Sequence, residues 1–441
     1  MVKRSMRSGS DRSVRRWELT AIALVGSMGG IAFGVSAAFG LYLKPITRAE
    51  DLKRQVIGLA VGLNFLLQGV TSIGWGALAD TRGAVPVFLA GACLEVASLL
   101  ATSYSVKAWH FYVSIPLEGL ATGALSFSVV LGAVGKLVEP ERRSRSLGLT
   151  ASALSLGNCV IPPIAYYLLA TRSWAVAMRL TALGCTVTVP LSLAFAAARR
   201  RARSAASAPA EAPAANPMHA PLEEEASELS ATVRAAAGNA SYRLLFFGFF
   251  VCGFHVFFVR THLAAYWTDT GLPPWVGAAS ITLIGAGNVC GTFLSGAAAS
   301  RWPKRKPRIL SGIYSARSLM FACIAVNRNP TVAFALAISV VIGLLWLSTV
   351  PVTNALVVDI GGPRYNSTLF GIIFANHQVG SFMGAWLGGK VYDAYGSYGP
   401  MWWACVGAGA LAALDHLPVA GERMVVGGAP GKKPPECDTD L

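Results

Sequence analysis

Residues 55–83 read QVIGLAVGLNFLLQGVTSIGWGALADTRG. From Val56 to Ala79 no residue is charged, and the stretch then breaks into Asp80-Thr81-Arg82-Gly83. A helix rises 1.5 Å per residue, so a run of 18 or more apolar residues crosses a hydrocarbon layer ~30 Å thick. Backbone in lipid must satisfy its own hydrogen bonds, which makes such a run a helix. Composition extends this reading to the whole chain. Of 441 residues 54% are hydrophobic and 13% charged, with a mean hydropathy of +0.52. A soluble domain carries roughly 25% charged residues, so the solvent of this chain is the bilayer.

Apolar runs near 17–43, 55–79, 85–105, 109–136, 146–170, 174–198, 242–267, 275–300, 308–326, 331–358, 367–389 and 399–418 predict twelve spans. The expected fold is an all-α integral membrane protein of two six-helix bundles. A basic N-terminus, 1–16, leads into the first half, 17–198, and the second half, 242–418, ends in a tail, 419–441. Segment 199–241 opens on Arg199, Arg200, Arg201 and Arg203, becomes rich in Ala, Pro and Ser, and turns acidic at Glu223, Glu224 and Glu225. It is expected to be a disordered cytoplasmic linker. Lys and Arg concentrate in the segments on the side of the N-terminus, so both termini are predicted to be cytoplasmic.

The formal charge of +15 lies between the apolar runs and forms no basic stripe interleaved with aromatics, which excludes nucleic acid as the partner. Seven of the eight cysteines sit inside apolar segments without disulfide or zinc spacing. No nucleophile–base pair stands out, so an enzyme is not expected, nor a metal or cofactor.

Gly76, Asp80, Arg82 and Gly83 form a turn motif, Gly76-Ala77-Leu78-Ala79-Asp80-Thr81-Arg82-Gly83, in which Gly76 permits close helix approach and Asp80 can cap a helix start. A weaker copy follows at Gly296-Ala297-Ala298-Ala299-Ser300-Arg301, with Ser300 in place of the acid. The motif resembles the loop signature of the major facilitator superfamily, and its repetition fits two related halves rocking about a central site. Within that superfamily the chain resembles the monocarboxylate and oxalate–formate branch. The resemblance rests on Phe39-Gly40-Leu41-Tyr42-Leu43-Lys44-Pro45, Arg143-Ser144-Arg145-Ser146-Leu147-Gly148-Leu149, Thr261-His262-Leu263 and Asn376-His377-Gln378-Val379-Gly380-Ser381-Phe382. It departs at the residues that define lactate–proton transport in animal members. Ala37 stands near their span-1 lysine, and Asn288 and Thr292 near their span-8 Asp/Arg pair.

Polar side chains facing lipid are costly, so polar residues at helical spacing point to a cavity or a partner helix. Asn64, Gln68 and Ser72 recur in span 2; Ser114, Glu118, Thr122 and Ser126 in span 4; Asn288, Thr292 and Ser295 in span 8; Trp346, Thr349 and Thr353 in span 10; His377 and Ser381 in span 11. In the resembled superfamily these spans line the central cavity. Of the charges within spans, Glu95, Arg179 and Arg317 are read as structural. Arg260 is read as the ligand of a substrate carboxylate, whose two oxygens suit its planar fork. Glu118 is the proton site, or the ion-pair partner of Arg260 when substrate is absent; a static salt bridge of the two that holds the halves together stays open beside this. His255 and His262 share one face of span 7 and are further proton-coupling candidates, while His377 joins Arg260, Glu118, Asn64, Gln68, Asn288, Thr292 and Trp346 as candidate substrate ligands; for each histidine a hydrogen-bonded packing role is the bland reading and the one favoured.

The expected function is secondary active transport of a small, monocarboxylate-like organic anion, coupled to protons, by a monomer in the plasma or cell inner membrane. Two alternatives stay open: an exporter of amphipathic or cationic compounds, and a transporter-like receptor without flux.

Overall fold

The computed structural model describes residues 2–135, 140–205, 222–362, 364–421 and 423–424. Among them the regular elements are sixteen α-helices and one 3-10 turn at Pro303–Arg305. In chain order the helices are α1 (Val2–Ala49), α2 (Arg54–Thr81), α3 (Ala84–Ser103), α4 (Ala108–Ala124), α5 (Phe127–Gly135) and α6 (Pro140–Thr171). Then come α7 (Trp174–Cys185), α8 (Thr188–Ala205), α9 (Leu222–Gly238), α10 (Ala240–Asp269) and α11 (Trp275–Arg301). The last five are α12 (Lys306–Val326), α13 (Val332–Leu345), α14 (Thr349–Gly361), α15 (Asn366–Tyr395) and α16 (Gly399–Asp415).

Ten stretches among the described residues are long and apolar enough to cross a membrane, and they coincide with the first ten expected spans. The expected spans at 367–389 and 399–418 fall on α15 and α16. Asn376-His377-Gln378 dilutes the apolar character of α15, and α16 is only 17 residues long. Large apolar side chains such as Val113, Tyr167, Leu183, Phe293, Leu319 and Leu411 are exposed on the outside of the bundle. A soluble protein does not tolerate so broad an apolar exterior, whereas lipid does.

Three of the expected spans are broken. The fourth is α4 and α5 with a break at Leu125-Ser126, the sixth is α7 and α8, and the tenth is α13 and α14 with Trp346-Leu347-Ser348 between them. Pro190 and Pro351 stand in the first turns of α8 and α14, where a missing N–H leaves no hydrogen bond unmade.

The segment expected to be a disordered linker differs. α8 runs on to Ala205, and α9 occupies 222–238. The Ala, Glu and Leu content of α9 favours helix. Its Ala236 is buried and Val233 packs on the main core, while Glu228 pairs with Arg364 at 2.8 Å. Residues 206–221 lie outside the described ones. Of the turn motif, the Asp80 side chain, expected to cap a helix start, lies outside the described ones. The backbone at the start of α3 is marked by Gly83, whose φ of +92° suits only glycine.

Helix pairing repeats after six spans. α1 packs on α6 as α10 packs on α15, and α2 on α4 as α11 on α13. Between these groups α2 meets α15 and α6 meets α11, which is again one contact repeated. Small residues bring the axes together. A Cβ on Gly157 of α6 would strike the Gly30 carbonyl of α1, one on Gly384 of α15 the Phe254 carbonyl of α10, and one on Gly291 of α11 the Leu344 carbonyl of α13. Gly76, by contrast, has nothing within 4 Å of a built Cβ, so the close approach expected there is absent from this structure.

Candidate functional site

Arg260 stands in mid-α10 and reaches across to α1. Its Nη2 donates to the carbonyl of Phe33 at 3.0 Å and its Nε to that of Ser36 at 3.3 Å. Gly40 makes the crossing possible, because a Cβ there would fall on the Arg260 carbonyl. The guanidinium is half-buried and faces a small cavity walled by Ala37, Asn158, Leu263, Ile281, Ile284 and Trp346. Among the described residues no carboxylate comes within 4.0 Å of it. The direct ion pair with Glu118 considered from sequence is therefore not formed here.

Glu118 is held elsewhere. It is buried on α4, and its Oε2 accepts a hydrogen bond from Asn64 Nδ2 of α2, which also donates to the Ile115 carbonyl at 2.9 Å. Glu118 Oε1 and Asn64 Oδ1 are buried without a described partner. Gly119 lets the helices touch, since its Cβ would fall on the Asn64 carbonyl. The stripes of α2 and α4 thus face each other, which is the partner-helix outcome for Asn64 and Glu118. Gln68, one turn on, meets α15 instead: Gln378 Nε2 donates to Phe65 O at 3.1 Å and lies 3.5 Å from Gln68 Oε1.

The tenth-span break shapes the opposite wall. Asn288 Oδ1 accepts from Leu347 N–H at 3.1 Å and from Thr292 Oγ1 at 3.2 Å. Arg317 of α12 donates through Nε to the Leu345 carbonyl at 3.0 Å and through Nη2 to the Trp346 carbonyl. The break frees a carbonyl pair and an N–H, and these two side chains satisfy them. Trp346 is thereby turned to the cavity in front of Arg260. Asn288 and Thr292 act on that wall from behind it.

The three candidate histidines sit apart. His255 Nε2 contacts the Cys405 carbonyl at 3.0 Å and the ring packs edge-on against Phe321. His377 is stacked on Phe374, with ring centroids 5.4 Å apart, and its Nδ1 faces Gln378 Oε1 at 3.0 Å while Nε2 is buried without a described partner. His262 lies towards the C-terminal end of α10, between Tyr398 and the Ala385 carbonyl. Of the charges read as structural, Glu95 is wholly buried, with the Cys185 thiol 3.9 Å from Oε1 and no described partner for Oε2. Arg179 lies over the Tyr104 ring at 4.2 Å, near the end of its span.

Sequence reasoning missed a charge cluster at the end of the bundle that holds the α1–α2 turn. Asp269, at the end of α10, takes Lys44 Nζ at 2.7 Å and a bidentate grip from Arg54 at 2.5 and 3.0 Å. Asp393 of α15 accepts the first N–H groups of α2, Arg54 N at 3.0 Å and Gln55 N at 2.7 Å. Cations lie on α1 and α2 and carboxylates on α10 and α15. That matching of opposite signs at successive helix ends was a usable signal.

The family model described as Major Facilitator Superfamily matches residues 21–385. Monocarboxylate transporter 13 of Rattus norvegicus is 22% identical over 400 residues, covering 88% of this chain and 86% of its own. Multidrug resistance protein MdtH of Cronobacter sakazakii is 33% identical over 102 residues, which is 23% of this chain and 25% of that one. Among solved structures, the D-xylose-proton symporter superposes with a TM-score of 0.69 at 14% identity, covering 92% of this chain and all of the symporter, 100%.

Proposed function

Because this chain belongs to the Major Facilitator Superfamily it is a membrane transporter, and we propose that it carries a small organic anion by alternating access. One observation supports this above the others. Arg260 presents a guanidinium to a cavity that is apolar but for Asn158, with no carboxylate within 4.0 Å among the described residues, and its Nη1 makes no hydrogen bond to a described residue. Glu118 acts on this cation only from beyond contact distance, and an arriving carboxylate supplies a counter-charge and acceptors in contact. The same cavity offers Trp346, Ile281 and Ile284 to the rest of the substrate and Asn158 to one polar group, which suits a compact monoanion. The relationship to a protein named a monocarboxylate transporter supports the same reading.

We further propose twelve spans in two six-helix halves, both termini cytoplasmic, with the Lys44–Arg54 end external. Transport is proton-coupled through Glu118, a buried carboxyl with a single side-chain donor and no cation in contact among the described residues. A carboxyl in that setting is stable when neutral and gains by ionising only when water or a cation reaches it.

The second reading, export of amphipathic compounds, draws on the apolar cavity walls and on the partial likeness to a multidrug resistance protein. Uptake into vesicles carrying the purified protein separates the two. Short monocarboxylates, a dicarboxylate and a lipophilic cation are offered with and without an inward proton gradient, beside Arg260→Gln. Gradient-driven uptake of a monocarboxylate, lost in the variant, is the expected result. Movement of the cation alone overturns it in favour of export.

A further inference from the structure

The cluster at the Lys44–Arg54 end does not stop at its carboxylates. Arg54 Nη1 donates to Tyr398 Oη at 2.9 Å, and Tyr398 Oη lies 3.0 Å from His262 Nδ1. His262 Nε2 in turn lies 2.8 Å from the Ala385 carbonyl. A carbonyl only accepts, so Nε2 carries the proton and Nδ1 of the neutral ring accepts from the tyrosine. The hydrogen bonds therefore run one way, Arg54 to Tyr398 to His262 to Ala385. They join α2 to the turn before α16, to α10 and to α15.

The surroundings leave little room for a second proton. Tyr398 and His262 are 2% and 1% exposed. A Cβ on Gly388 would meet the His262 ring, one on Gly58 the Ala385 carbonyl at 2.6 Å, and one on Gly389 the Arg54 carbonyl at 2.6 Å, so α2 and α15 are in backbone contact around it. The Arg54 guanidinium also covers the Tyr392 ring at 3.5 Å. The charged and titratable groups facing His262 are Lys44 of α1, Arg54 of α2, Tyr266 and Asp269 of α10, Tyr392 and Asp393 of α15, and Tyr398. Two cations and two carboxylates balance while the imidazole is neutral.

We propose that His262 is the proton-binding site of a latch: neutral, it closes the Lys44–Arg54 end of the bundle, and protonated, it releases it. A proton on Nδ1 sets two donors against each other, since Tyr398 O–H then has no acceptor and its oxygen must take hydrogen bonds from both Arg54 and His262. It also adds an unbalanced positive charge beside Arg54, in a place nearly closed to water. Separation of α2 from α15 hydrates the imidazolium and relieves both. A neutral imidazole takes up its proton as the pH falls, so acidification on that side opens that side. This deepens the transport reading and rests on it only for the statement that this end is external; Glu118, deep in the bundle, is a separate proton site.

The test is a distance, not a flux, so its failure and that of the anion reading are distinguishable. Spin labels are placed on Ala49→Cys and Ala394→Cys, both exposed at this end on α1 and α15, in a background whose other cysteines are replaced. The protein is held in lipid nanodiscs at about pH 8 and about pH 4, low enough to protonate a buried imidazole. The expected result is one short distance at the higher pH and a longer population growing at least about fivefold at the lower. His262→Gln keeps a donor for Ala385 and cannot charge, so it stays short at both. Tyr398→Phe breaks the relay and shows the longer distance already at the higher pH. No opening of the parent on acidification, or the same opening in His262→Gln, overturns the proposal, the latter assigning the response to Asp269 or Asp393. If His262→Gln fails to fold, His262→Asn makes the same comparison.

Discussion

At the scale of single residues, the site divides into groups that meet a ligand and groups that hold the wall. Arg260 belongs to the first kind. Arg260→Gln removes the fork but leaves a side chain able to donate to Phe33 and Ser36, so we expect a correctly folded protein with KM for the carboxylate raised at least about tenfold, roughly the 1.4 kcal/mol or more of a charge-assisted bond. Unchanged KM in vesicle uptake would remove Arg260 from the site. Glu118→Gln keeps an acceptor for Asn64 and loses the titrating proton. Its expected signature is a split: gradient-driven uptake falls sharply while substrate exchange across vesicles without a gradient persists, and equal loss of both would make Glu118 merely structural. Arg317 is of the second kind. Arg317→Met strands the Leu345 and Trp346 carbonyls, each costing about 1–3 kcal/mol when buried and unpaired. A lowered Tm in detergent is expected, and an unchanged one would show that the break in the tenth span is satisfied by other means.

At the scale of helices, glycines decide how near the axes come. Gly157→Val would drive a side chain into Gly30 of α1, and we expect loss of monodisperse protein or a steep fall in Tm. Gly76→Ala is the contrasting case, because nothing lies near its Cβ. Stability should hold or rise slightly, since alanine is the better helix former by roughly 0.5–1 kcal/mol. A turnover slowed in that variant would mean that Gly76 serves a packing met only in another state of the cycle; full-speed turnover would leave the loop glycine without a conformational role. The helix α9 makes a further point about elements. Composition made 199–241 a linker, yet Leu222–Gly238 is helical because alanine, leucine and glutamate are strong helix formers and the core offers a place for Val233 and Ala236.

At the scale of the whole molecule, sidedness is the first thing to measure. An impermeant maleimide should label Ala49→Cys in intact cells and reach Trp302→Cys only after permeabilisation; the reverse order would invert the proposed topology and place the latch inside. How much of all this was legible beforehand follows from the range of the forces involved. Helix position and number of apolar runs depend on local hydropathy, and the superfamily on a turn motif of eight neighbouring residues, so 55–83 and its counterparts carried them alone. The polar stripes were legible as stripes, because a period of 3.6 is a local property. What each stripe touches is not local. Only the folded chain set Asn64 against Glu118, placed Arg260 on the carbonyls of α1, turned Trp346 into the cavity through Asn288 and Arg317, and closed Lys44, Arg54, Asp269 and Asp393 into one cluster with Tyr398 and His262. Those contacts join residues up to 344 positions apart, and their pairing is chosen by helix packing, where one turn of register decides which polar group finds a partner.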